Sequence, residues 1–194
     1  MEIGATKAVQ DRLKTTKIEE SKGASLVFCW DTHLTKIKGR NVLFIVNASN
    51  RYTIAMTDIE PRNWNYYTMY IRSVIHGVMQ EMGYSEDQIR KYFKMSGDTT
   101  VTKTHGRKSV GGINRMVMDA QYFGKKLEKE AKYQWELSEY LNRDICQPEG
   151  FDTYGYPSEL FKLDMERLGI AAKRKPAKVI DFTRHIDTNR STNH

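Results

Sequence analysis

The sequence predicts one α+β domain, and three observations carry that prediction. β-rich runs come consecutively between Ser25 and Asp58, amphipathic helical runs follow after Pro61, and 39% of the 194 residues are hydrophobic, enough for a core. The expected architecture is an antiparallel β-meander of three to four strands covered by amphipathic helices, over residues 1–170. Residues 171–194 are expected to form a basic, flexible tail.

The elements follow in order. "SLVFCWD", "HLTKIKG", "NVLFIVN" and "RYTIAMTD" are short runs rich in Val, Ile, Phe and Thr, the composition of strands. "KGRN" and "NASN" carry turn residues and join the second run to the third and the third to the fourth. "NVLFIV" is apolar throughout, as a strand covered on both faces requires. After Pro61, a favourable first-turn residue, Trp64, Tyr67, Ile71, Val74, Ile75, Val78 and Met82 recur at helical spacing until Gly83. Ser85 and Gln88 suit a capping box for "EDQIRKYFKM". "TTVTKT" reads as one more strand, and Ile113, Met116, Val117, Ala120, Phe123 and Leu127 define another amphipathic helix. The stretch from Tyr133 to Ile145 fits either a helix or an extended arm. "PSELFKLDMERLG" reads as a short helix capped by the Ser after its Pro. Trp30, Phe44, Ile71, Val78, Met116 and Phe123 are expected in the core.

No apolar run approaches the roughly 18 residues a membrane span needs. The two cysteines, Cys29 and Cys146, stand in unrelated contexts, which speaks against a disulfide framework and fits a reducing cytoplasm. A soluble cytoplasmic protein without membrane contact is expected. The net charge of +7 is concentrated in two places. Ala171–His194 has six Lys or Arg against two Asp, and Asp98–Arg115 has four against one. Such concentrations attract polyanions at long range.

The search for chemistry is largely negative. No two of the five histidines stand three or four residues apart. Cys29, Asp31 and His33 alternate, so one strand face would present all three as metal ligands; alternation equally places Cys29 in the core and leaves Asp31 and His33 at a turn. Gly-x-Ser-x-Gly is absent, and neither cysteine has a catalytic setting. No catalytic residue, metal or cofactor is expected.

The richest stretch is "TVTKTHGRKSVGGINRM", Thr100–Met116. It satisfies neither the P-loop nor the dinucleotide-binding pattern. It does place backbone amides beside a helix start, with Lys103, Arg107, Lys108, Asn114 and Arg115 around them, and such a start favours an anion. Ser109 would serve as the N-cap, which is compatible with anion binding. In "NASNRY", Asn47, Ser49 and Arg51 either satisfy their own turn or project beside the Lys103 strand to build one polar pocket.

The motif order is itself informative: "TK" (Thr6, Lys7), a Trp-bearing strand (Trp30), "VNASNRYTI", "TVTKT", Asn114-Arg115, "LNR" (Leu141–Arg143) and "YPSEL". Together these resemble a bacterial and phage family known only as a domain of unknown function, over roughly residues 1–168. The resemblance implies a compact cytoplasmic protein often carried by mobile elements, and no particular reaction. The sequence therefore points to a small non-catalytic binding protein that engages a host protein or protein complex through its basic loop and tail, with Lys173, Arg174 and Lys175 as the tail contacts. Charge-led nucleic-acid binding is the alternative. A second is a nucleotide-binding protein or enzyme using the Asn47–Arg51 and Lys103–Arg115 clusters.

Overall fold

The computed structural model of the protein describes residues 1–15 and 18–172. The expected flexible tail beyond residue 172, with Lys173, Arg174 and Lys175, lies outside the described residues. The fold is α+β, but its sheet is mixed rather than a pure meander. Five strands, β1 (Glu2–Ala5), β2 (Cys29–Ile37), β3 (Arg40–Asn47), β4 (Thr53–Thr57) and β5 (Thr100–Thr102), stand in the order β4-β3-β2-β1-β5. The β2, β3 and β4 strands form the antiparallel meander, while β1 runs parallel to both β2 and β5.

Two of the expected strands are one. "SLVFCWD" and "HLTKIKG" join as the nine-residue β2, preceded by a 3-10 turn over Leu26–Phe28, so Asp31 and His33 lie mid-strand rather than at a turn. The β2–β3 hairpin closes through Lys38 (φ 50°) and Gly39 (φ 82°), the pair of positive φ angles that a type I′ turn needs.

Helices cover both faces. On one side α1 (Lys7–Leu13), α2 (Pro61–Asn65), α3 (Tyr67–Glu81), α4 (Glu86–Ser96) and α7 (Pro157–Arg167) surround a core that includes Ile3, Trp30, Leu43, Ile45 and Ile54. On the other, α5 (Gly106–Gln121) and α6 (Trp135–Asn142) pack on Ile37, Val42, Phe44, Val46 and Ala55. β3 thus supplies alternate residues to both cores, which explains its unbroken apolar run. All six residues expected in the core are buried.

Several boundaries differ from expectation. The single helix expected after Pro61 breaks at Tyr66, whose φ and ψ (−114°, 40°) leave the helical region. The α5 helix begins at Gly106, so Ser109 is inside the helix and caps nothing. The α7 helix starts with Pro157 at its first turn and has no side-chain cap, so Ser158 does not serve as one. The Ser85–Gln88 capping box is present. The ambiguous stretch resolves as α6. Among the described residues, no helix is long and apolar enough to cross a membrane.

Candidate functional site

Strand alternation gives the sheet face beneath the α5 start an unusual character. Glu2 and Gly4 of β1 and Cys29 and Asp31 of β2 point to the side opposite Ile3 and Trp30, and they meet the first turn of α5. That half of the face is polar, whereas the half beneath the rest of α5 is apolar.

His105 sits at its centre, with a side chain only 3% exposed. Its Nδ1 lies 2.7 Å from Asp31 Oδ1 and its Nε2 lies 3.0 Å from Glu2 Oε2. Both ring nitrogens therefore donate to carboxylates, as an imidazolium does. Burial alone would lower the basicity of His105, but the contacts with Asp31 and Cys29 outweigh it and push the pKa up to about 10. Burial likewise acts to raise Glu2, yet hydrogen bonds from Ser21, the Lys22 amide and His105 hold it below the usual carboxylate range. An imidazole held protonated is not a general base near neutrality.

Asp31 also accepts from the His105 backbone N–H (3.2 Å) and from Ser109 Oγ. The helix start that the sequence marked as an anion site is thus filled by the protein's own carboxylate. An internal anion there meets the same orphan N–H group and dipole that would otherwise favour phosphate.

The surrounding cations are engaged too. Lys103 pairs with Glu20, Lys108 reaches Pro148 O (3.3 Å) and stands 4.0 Å from Glu149, and Arg115 pairs with Asp119 at 3.2 Å. Arg107 alone of the four has no partner among the described residues, and Asn114 is exposed beside Arg115. The Asn47–Arg51 turn touches α5 through Arg51 and Gly112 O but stands apart from Lys103 on its strand. Three strand spacings, roughly 14 Å, separate β3 from β5.

The turn is a joint. Asn47 is fully buried; its Oδ1 accepts from the Ser49 and Asn50 amides and its Nδ2 donates to Val27 O (2.9 Å). Ser49 O accepts from Gly150 N (2.9 Å), Asn50 Nδ2 donates to Asp164 (2.9 Å), and Arg51 reaches Gly112 O (3.2 Å). These residues lock α5 and α7 onto the sheet rather than lining one pocket.

The accessible concavities lie elsewhere. Two clefts, of about 380 and 410 Å³, flank α6 and share Glu139 and Arg143, themselves an ion pair at 2.7 Å. Tyr52, Met82, Tyr133 and Trp135 line the first, and Phe123 and Tyr140 the second. Trp135 and Tyr140 are 42% and 43% exposed, a large aromatic area left in water. In the second cleft Glu136 and Glu139 pair with Lys125 and Arg143, Asp119 pairs with Arg115 just outside it, and Asp144 adds one further carboxylate. Sequence reading missed this surface because it is assembled by α6, whose state the periodicity left open. The Glu2–Asp31–His105 centre was missed because its members stand far apart in the chain; only the alternating polar positions of β2 hinted at it.

Residues 2–160 match the model of a family described as a domain of unknown function, DUF6933. No curated protein and no solved structure matches the chain.

Proposed function

We propose that the chain, which belongs to the DUF6933 family, is a non-catalytic binding protein that grips a protein partner across the two clefts flanking α6. The observation that carries this reading is the composition of that surface: exposed Trp135 and Tyr140 around a shared Glu139–Arg143 pair. Aromatic residues, Met and Arg are what buried interface centres favour. The acidic surplus of the second cleft supports a protein with basic side chains over a polyanion. The basic loop becomes a secondary contact, since its helix start is filled by Asp31 and three of its four cations have partners.

The test is a tagged pull-down from host extract, with and without nuclease, comparing the wild type with a Trp135→Ala/Tyr140→Ala variant. Capture that survives nuclease and disappears in the variant supports the reading. Capture abolished by nuclease and indifferent to the variant overturns it in favour of nucleic acid. Direct titration of DNA and RNA near physiological salt, with the full chain and a chain ending at Leu168, then shows whether the tail is responsible.

A further inference from the structure

Two buried carboxylates, Glu2 and Asp31 (4% and 0% exposed), hold the ring of His105 between them. Beside them lies the fully buried Cys29 thiol, which donates to the carbonyls of Ala24 and Ser25 at 3.7 and 3.5 Å and also contacts His105. The donor atoms of Glu2, Cys29 and His105 lie within 4.8 Å of one another. We propose that these three side chains bind a divalent transition-metal ion of the zinc class, with Asp31 orienting the imidazole.

The donor chemistry selects the ion. One sulfur, one nitrogen and one oxygen suit borderline-soft Zn²⁺, while Ca²⁺ and Mg²⁺ demand oxygen ligands. The geometry supports it as well. Asp31 accepts from Nδ1 at 2.7 Å, which leaves Nε2 facing Glu2 at 3.0 Å. A carboxylate behind a ligating histidine is the usual outer support of a zinc site. On binding, the Nε2 proton and the thiol proton leave to solvent, so the dication meets one carboxylate, one thiolate and a neutral imidazole, and the net charge of the site stays the same. Asp31 keeps its hydrogen bonds from Nδ1–H, Ser109 and the His105 amide. The exposed segment at residues 19–23 borders the site, touching Glu2 through Ser21 and Lys22.

The experiment uses the full chain, stripped with chelator and titrated with Zn²⁺ and, as a spectroscopic probe, Co²⁺. One equivalent of Co²⁺ should produce a thiolate-to-metal charge-transfer band that Zn²⁺ bleaches. Affinity should rise at least about tenfold per pH unit near neutrality, because binding releases protons. Cys29→Ala, a small residue replacing a small buried one, should remove the band and weaken Zn²⁺ binding at least 100-fold while circular dichroism stays native. Zn²⁺ should raise the melting temperature of the wild type and leave that of the variant unchanged. A folded wild type that shows no charge-transfer band at pH 8, or Zn²⁺ binding that Cys29→Ala does not weaken, overturns the proposal. The wild-type spectrum decides the matter even if the variant fails to fold, and neither result bears on the α6 surface.

Discussion

A β-carbon at Gly4 would lie 1.8 Å from Asp31 Oδ1 and 3.0 Å from the Thr104 Cα. The glycine is there because the buried carboxylate occupies the space a side chain would need. Gly4→Ala must push Asp31 off His105 or part β1 from β2, and we expect a loss of about 3 kcal/mol or more in urea unfolding, the upper range for overpacking. Asp164 offers a second test. Burial raises its pKa above the ordinary 3.8, against the opposing hydrogen bonds from Asn50, Ser49 and Arg167. The fold therefore prefers the protonated form. Asp164 contributes stability that is fully present below pH 3.8 and lost as pH rises through its folded pKa. The stability of the wild type relative to Asp164→Asn should accordingly be greater at pH 3.5 than at pH 6.5 by denaturant unfolding; a pH-independent difference would refute this. Residues such as these are the least legible in sequence. Asp31 stands 74 positions from His105, and nothing local distinguishes an Asp that will cap another element from one that will face water.

Elements were more legible where their signals are local. The Ser85–Gln88 box is complete in sequence and complete in structure, and Ser85→Ala should cost about 1 kcal/mol. The β1 strand escaped notice because "EIGA" is four residues long with only Ile3 and Ala5 apolar, and because its pairing is wholly non-local. The α6 helix was ambiguous for a different reason. Asn142 exchanges two 2.8 Å hydrogen bonds with the backbone of Thr53, and Ser138 Oγ accepts from the Ala55 N–H at 3.0 Å. The helix thereby closes the open edge of β4 with side chains, so its inner face carries polar residues where an amphipathic pattern expects apolar ones. Asn142→Ala leaves two buried backbone groups unpaired, and we expect a loss of about 2–4 kcal/mol, with the urea midpoint lowered and the slope unchanged.

At the scale of the molecule, the two cores were legible from periodicity because hydrophobic burial is the one signal every element shares. Phe44 is fully buried beneath α5 and α6, and Phe44→Ala should cost about 3–5 kcal/mol. The mixed topology was not legible, since strand order depends on which distant segments meet. That order has a consequence in time. The β2–β4 meander can form as soon as it leaves the ribosome, but β1 pairs with β5 in the register Glu2↔Thr100. At synthesis rates of about 5–20 residues per second, one flank of β1 waits roughly 5–20 s for its partner. During that interval a strand destined for the interior of the sheet presents bare amides and carbonyls to every other nascent chain. Its four-residue length and the Glu2 carboxylate on its inner face make it a poor template for such neighbours, so the feature that hid β1 from sequence reading also guards it while it waits.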